Sequence, residues 1–281
     1  MRKIFFKLTS DLYPQVKYRY PFLYLEHGRL KVDESSVKWI SADCEIIRLP
    51  IAVINTILLG PGTSITHEAV KSIGEARCSI CWVGEESLKF YAYGMPPTSD
   101  TQNLYRQLTC AFSPDKRLAV ARRMFSKRFP GIDLQDKSLQ TLMGMEGYRV
   151  KNMYREKSLK YDIPWSGRRY IPGKSEKSDP VNKVLTFSNS ILYGVVTSSI
   201  LYCGYSPRVG FVHSGSPMPF VYDIADLFKE YVTIDFSFSY VSGKQNINDR
   251  KNIIDGVVSR MIDLNLTEKI PSIFEDLFRD L

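Results

Sequence analysis

The chain has 281 residues, long for one domain and comfortable for two, and 44% hydrophobic residues supply a sizeable core. Lys and Arg exceed Asp and Glu by +8 and the pI is about 9.1, a balance suited to polyanionic ligands. No run of about 18 uncharged apolar residues appears, so no membrane span is expected; Lys7 and Asp11 interrupt any signal-peptide core behind Met1-Arg2-Lys3, and a cytoplasmic location is expected.

Up to residue 94 the pattern predicts short strands at 22–32, 37–40, 44–49, 52–59, 80–83 and 88–93. His27-Gly28, Asp33-Glu34 and Gly60-Pro61-Gly62 supply the turns. One short helix interrupts them, opening at Ser64 or Thr66, running through Ile73 and closed by Gly74. The five cysteines, an odd number at irregular spacing, give no disulfide framework. Cys78 and Cys81 have the spacing of a zinc pair, but no second pair completes four ligands, so they read as core thiols of a buried strand. Gly94-Met95-Pro96-Pro97-Thr98-Ser99-Asp100 reads as a linker. The expected organisation is an N-terminal β domain at 1–94, a linker at 95–101 and an α-helical domain at 102–281.

Beyond the linker the apolar period becomes helical. Ser113-Pro114-Asp115 predicts a helix start, with serine as cap and proline in the first turn. That helix places Leu118, Ala121, Met124 and Phe125 on one side and Arg122, Arg123, Lys127 and Arg128 toward the other. Further helices are expected at 140–161, 181–202, 219–231, 248–264 and 270–281, the largely apolar 181–202 being the central core helix. The predicted class is α+β, a β-sandwich-like domain followed by a larger all-α domain.

The chemistry gathers in the second half. Gly210-Phe211-Val212-His213-Ser214-Gly215 carries a lone loop histidine, and Phe220-Val221-Tyr222-Asp223-Ile224-Ala225-Asp226 follows it. Asp223 and Asp226, three apart, share a helix face. Upstream, Glu146 stands alone at the head of a basic stretch. One imidazole with several carboxylates suits Mg²⁺ or Mn²⁺. In isolation, His213 would equally serve as a backbone hydrogen-bonding group, and the aspartates as first-turn residues favoured by the helix dipole. Phe220, Val221, Ile224 and Leu227 around those aspartates argue for burial, which an unpartnered carboxylate does not tolerate. Basic residues crowd 149–183, among them Arg149, Lys151, Arg168, Arg169 and Lys174. Trp165-Ser166-Gly167-Arg168-Arg169-Tyr170 sets two guanidinium groups between aromatics, suited to phosphate forks and base stacking; a solvated helix face and surface loop is the plainer alternative.

Glu146, His213, Asp223 and Asp226, with their flanks, resemble the CRISPR-associated integrase family, the spacer-acquisition endonuclease, most closely subtype I-E. Leu59-Gly60-Pro61-Gly62-Thr63, Trp82-Val83-Gly84-Glu85, Met145-Glu146-Gly147, Gly167-Arg168-Arg169-Tyr170 and Leu192-Tyr193-Gly194-Val195 fall in family order. The resemblance implies that Glu146, His213 and Asp226 are catalytic metal ligands for Mg²⁺ or Mn²⁺, with Asp223 supporting them. It implies transesterification, the 3′-hydroxyl of a DNA fragment attacking a phosphodiester at the border of a CRISPR repeat. DNA then supplies the nucleophile, in keeping with a sequence that offers no convincing Ser or Cys dyad. Expected DNA-binding residues are Arg149, Lys151, Arg168, Arg169, Tyr170, Lys174, Tyr222 and His27. His27 stands where relatives often place an aromatic wedge, and Ser64 and Met143 replace basic residues. The expected assembly is a homodimer through the β domain, two of which a small dimeric partner subunit bridges. Two other classes stay open: a stand-alone metal-dependent nuclease on branched DNA or RNA, with water as nucleophile, and a non-catalytic DNA-binding scaffold.

Overall fold

A computed structural model describes residues 19–20, 22–84, 90–94, 101–168 and 178–281. Residues 95–100 of the expected 95–101 linker and the site candidates Arg169, Tyr170 and Lys174 lie outside these residues. Two compact units are present, Met1–Asp100 and Thr101–Leu281. The class is α+β, with strands in the first unit and helices in the second, as the sequence predicts.

The first unit contains β1 (Leu23–Leu25), β2 (Gly28–Asp33), β3 (Ser36–Ser41), β4 (Ile46–Arg48), β5 (Thr56–Leu59), β6 (Thr63–Ile65), β7 (Ser79–Val83) and β8 (Phe90–Gly94). They form two four-stranded sheets, ordered β1-β5-β7-β8 and β4-β3-β2-β6. Pairs β1–β5, β5–β7 and β2–β6 are parallel, while β7–β8, β2–β3 and β3–β4 are antiparallel. The single strand expected at 22–32 is therefore two strands in different sheets. The break falls at His27, whose φ of 54° turns the chain and whose N–H donates to the Pro61 carbonyl at 2.9 Å. Leu25, Ile57, Leu59 and Ile80 from one sheet meet Leu30, Val37 and Trp39 from the other in one core. Helix α1 (His67–Glu75) adds Ala69 and Ile73 to it. Gly28 has to be glycine, because a Cβ there would collide with the Trp39 ring and the Ile40 carbonyl. Thr66 caps α1 by accepting the Ala69 N–H, and Gly74 lies inside the helix rather than beyond its end. Burial pushes the Cys78 thiol up to about 12 and raises Cys81 as well, so both are core groups rather than thiolate ligands.

The second unit contains α2 (Gln102–Phe112), α3 (Pro114–Arg128), α4 (Leu139–Tyr161), α5 (Pro180–Tyr202), α6 (Pro219–Ala225), α7 (Phe236–Ser242), α8 (Arg250–Asp263) and α9 (Leu266–Phe278). Helix α5 is long and apolar enough to cross a membrane by length and composition, but 18 of its 23 residues are buried inside the unit, which makes it a core helix. Asp179 caps it by accepting the Asn182 N–H, with Pro180 at the first position. Helix α2 was not expected: its flanking Thr101 makes no side-chain cap, and it buries Gln107, an amide that donates to the Ser206 and Val209 carbonyls. Helix α9 starts a turn earlier than residue 270 and carries Pro271 inside. Leu266, Ile270, Phe274 and Leu277 keep the apolar spacing through that proline. Arg106 and Arg123 donate to carbonyls at the end of α9, Phe278 for one and Asp276, Leu277 and Arg279 for the other. The helix expected at 219–231 stops at Ala225, and after a tight turn the chain resumes as a π-helical segment, Glu230–Asp235, that runs into α7.

That segment brings Asp235 among its neighbours. Its Oδ1 accepts from Lys157 at 2.8 Å, Tyr161 at 3.0 Å and Lys160 at 3.3 Å, and its Oδ2 from Arg260 at 2.8 Å. Burial alone would raise this carboxyl, but the bonds from Lys157, Arg260 and Tyr161 override it and hold Asp235 far below the usual 3.8. A depressed carboxylate contributes stability above its unfolded value and loses it as pH falls. Asp235→Asn should therefore destabilise the helical unit by about 3 kcal/mol near neutrality. The difference from wild type should shrink below about pH 4, read by urea denaturation across pH. A loss that stays constant into acid would exclude this role.

Candidate active site

One carboxylate organises the loop from Gly210 to Gly215. Asp223 is fully buried on α6. Its Oδ2 accepts the Phe211 N–H at 2.6 Å and the Val212 N–H at 3.1 Å, and its Oδ1 accepts the His213 N–H at 2.8 Å and pairs with the His213 ring Nδ1 at 2.7 Å. Phe211 anchors the loop from beneath, with its ring 5.5 Å from Phe278 and 5.8 Å from Phe220. Gly210 leaves no space for a side chain, since a Cβ would stand 2.7 Å from Pro219 and 2.8 Å from the His213 carbonyl. Asp223, expected among the catalytic residues as a support for the ligand set, has both oxygens occupied by the loop.

The consequence is a histidine of fixed orientation. With Nδ1–H donated to Asp223, Nε2 is left facing Asp226 Oδ2 at 3.7 Å. Asp226 follows the last turn of α6 and binds Lys229 Nζ at 2.6 Å, and that ammonium also lies 5.0 Å from the centre of the Tyr193 ring. Burial would raise Asp226; Lys229, Arg128 and His213 lower it below its usual value. His213 is raised above its usual 6.5, by the Asp223 bond first, against the opposing effect of burial, and by the Asp226 charge. The charged imidazole therefore contributes stability below 6.5 that is lost as pH rises through the raised value.

Adjacent donors around an octahedral divalent ion stand about 3 Å apart, so His213 and Asp226 fit one edge of such a site. A carboxylate on the far nitrogen is also the usual support of a metal-bound imidazole. Glu146, on α4, does not join them here. Its Oε1 receives Arg128 Nη1 at 3.3 Å, and Arg149 forks onto it at 3.1 and 3.2 Å. Among the described residues, no three His, Cys, Asp or Glu side chains are gathered as a ligand set.

Arg128, expected on the solvent side of α3, is buried; it donates to the Asp223 carbonyl at 3.3 Å and so ties α3 to α6 as well as to Glu146. Arg117 of the same helix donates to the Phe211 carbonyl at 3.0 Å. Sequence reasoning gave neither arginine, nor Lys229, a place in the site. Only Lys229 left a sign, its helical spacing of three from Asp226. Of the expected DNA-binding residues, Lys151 is exposed on α4 and Arg149 is engaged by Glu146 and Glu230. Arg168 is bonded to Asn182 and Thr186 of α5. Tyr222 lies edge-on to His213, with ring centres 5.9 Å apart, and His27 is exposed in the first unit.

An imidazole and two acidic groups set among cations, on a helical unit that follows a β unit, suit phosphodiester chemistry. The family model described as "CRISPR associated protein Cas1" matches residues 132–257, the stretch that carries Glu146, His213, Asp223 and Asp226. The CRISPR-associated endonuclease Cas1 2 of Chlorobaculum tepidum is 51% identical over 268 residues, covering 95% of this chain and 90% of that one. The crystal structure of TtCas1 matches with a TM-score of 0.83 at 31% identity over 94% of this chain and 99% of that chain. The TtCas1-DNA complex matches with a TM-score of 0.68 at 33% identity, over 92% and 97%. The chain belongs to the Cas1 family of CRISPR-associated endonucleases.

Asp223→Asn should replace a charged acceptor by an amide with a single acceptor oxygen, leave part of the 211–213 N–H set without an acceptor and bring the His213 pKa down. An NMR titration of the ring and hydrogen exchange of those amides would measure both, with the loop opening more easily by about 2 kcal/mol. Unchanged exchange and an unchanged titration would remove Asp223 from this role.

Proposed function

We propose that this protein is a metal-dependent DNA integrase of subtype I-E that inserts DNA fragments into a CRISPR array. The observation that carries this is His213, locked by Asp223 so that Nε2 faces Asp226. His213 and Asp226, with Glu146 turned toward them, would hold Mg²⁺ or Mn²⁺. A bound divalent ion supplies Lewis acidity to the phosphate and stabilises the departing alkoxide. The chain's own residues do the positioning. Asp223 keeps Nδ1 protonated, Lys229 keeps Asp226 ionised, and Arg128 holds α4 beside α6. No protein nucleophile is required, because the 3′-oxygen of the fragment forms the new P–O bond. The broken P–O bond leaves a 3′-hydroxyl on the cut strand, so the number of phosphodiesters is conserved.

DNA is the proposed substrate, supported by the basic chain, by exposed Lys151 and Arg155 on α4 and by the solved relative bound to DNA. A homodimer through the β unit is part of the proposal. Ile46 and Ile47 are exposed on the edge strand β4, an edge that asks for a cover. Two-ended insertion further calls for two active sites held apart, a spacing that a small dimeric partner subunit would set in the cytoplasm. The second reading is an endonuclease that uses water at the same site, which the relatives' naming favours.

His213→Ala should reduce strand joining by about a hundredfold or more, the scale on which even outer partners of a metal act. DNA affinity should stay within about twofold, because phosphate contacts from basic side chains supply most of it. A chelator should reproduce the loss and added Mn²⁺ should reverse it in wild type. Joining by His213→Ala at the wild-type rate sinks the proposal, and metal-dependent cleavage without joined product transfers it to the water-using nuclease.

A further inference from the structure

Glu146 is held by two arginines of different character. Arg128 has a side chain only 3% exposed, donates also to the Asp223 carbonyl at 3.3 Å and lies 5.0 Å from the centre of the Phe125 ring. It has nowhere to go. Arg149 is 24% exposed, and while two of its nitrogens fork onto Glu146, the third donates to Glu230 at 2.9 Å. Glu230 is 51% exposed and begins the π-helical segment. A cavity of about 370 Å³ opens at the same place, lined by Arg149 and Glu230 together with Phe129, Tyr148 and Asn152. The Arg149 guanidinium thus has a second carboxylate to rest on and space to turn into.

We propose that Arg149 is a positioning residue that gates Glu146. Forked onto Glu146, it neutralises that carboxylate and keeps it from joining His213 and Asp226. Moved wholly onto Glu230, it frees Oε2 of Glu146 and leaves Oε1 to Arg128 alone, without losing a counter-charge of its own. The inference rests on the proposal that these three residues hold a divalent ion, and it deepens it by naming what sets their affinity. Both positions of the guanidinium are carboxylate-paired, so the exchange leaves no unpartnered charge behind, which is the condition for a low-cost switch.

A long-range charge effect would also make Arg149→Gln tighten and Glu230→Gln weaken binding of a cation, so the single variants do not suffice. A double-mutant cycle on Mn²⁺ affinity, read from the electron paramagnetic resonance of free Mn²⁺ with the full chain, separates the two. Arg149→Gln should tighten Mn²⁺ binding about tenfold, the effect of removing one positive charge roughly 5 Å from a divalent ion at water-like screening. Glu230→Gln should weaken binding in the wild-type background, since Arg149 then has only Glu146. In the Arg149→Gln background it should change affinity by less than about twofold, since there is no guanidinium left to receive. Additive effects, or no tightening by Arg149→Gln, would overturn the gate. Mn²⁺ binding that is absent in wild type, or undiminished in His213→Ala, would defeat the metal proposal and the gate with it. Both substituted side chains are partly exposed, and matching circular dichroism melts would confirm that the variants fold.

Discussion

The site depends on a buried carboxylate whose acceptors are all taken up by one loop. A carboxylate without solvent is tolerated only when hydrogen bonds replace its hydration. Asp223 obtains them from three consecutive backbone N–H groups and one imidazole, all within the 210–215 loop. The loop therefore cannot relax without stranding a charge in the core, and α6 cannot shift without pulling the loop along. Gly210 and Phe211 follow from the same constraint: one lets the backbone approach Pro219 and Asp223, the other fills the aromatic cluster below. Of the residues that donate to Asp223, His213 is the one that reaches solvent, and its orientation is a by-product of the loop's need for an acceptor.

Charge is used twice in this protein. The excess of basic residues suggested polyanion binding, yet many of the cations in the second unit are committed inside it. Arg106 and Arg123 terminate α9, Lys157, Lys160 and Arg260 neutralise Asp235, and Arg128, Arg149 and Lys229 neutralise the acidic groups of the site. The 38 Lys and Arg residues overstate the surface offered to phosphate, because these groups are already engaged. Lys151 and Arg155, exposed on the same helix as Glu146, are better placed for that contact than Arg149 or Arg168.

What the sequence made legible is what local chemistry encodes. The helix start at Thr66, the apolar run of α5 and the grouping of His213 with Asp223 and Asp226 all rest on short-range pattern, and the structure has them near the expected positions, whereas Ser113, the expected cap of α3, makes no side-chain cap bond. What it hid rests on long-range partners. The change of sheet at His27 leaves only a one-residue shift in the alternation, from Leu23 and Leu25 to Leu30 and Val32, since both strands face one shared core. Helix α2 buries a glutamine, whose partners lie about a hundred residues away in the 206–209 backbone. Arg128 sits in the last turn of α3, where a basic residue is usually a solvated complement to the helix dipole. Only the approach of α4 and α6 makes it a buried link.

The two halves of the site come from distant parts of the chain, and α3 brings them together. Glu146 belongs to α4 and His213 to the loop before α6, while α3 reaches both through Arg128 and holds the Phe211 carbonyl through Arg117. Helix α3 is in turn fastened to α9 by Arg123 on its terminal carbonyls and by Lys127 on Asp276 at 3.1 Å. Phe274 and Phe278 of α9 pack against Phe220 of α6, next to the loop. The C-terminal helix therefore closes a ring of contacts that runs α3, α6, α9 and back to α3, with the catalytic candidates at its mouth. A site assembled on such a ring is rigid where His213 and Asp226 stand, and the proposed adjustment falls to Glu146 and to the Arg149 guanidinium between it and Glu230.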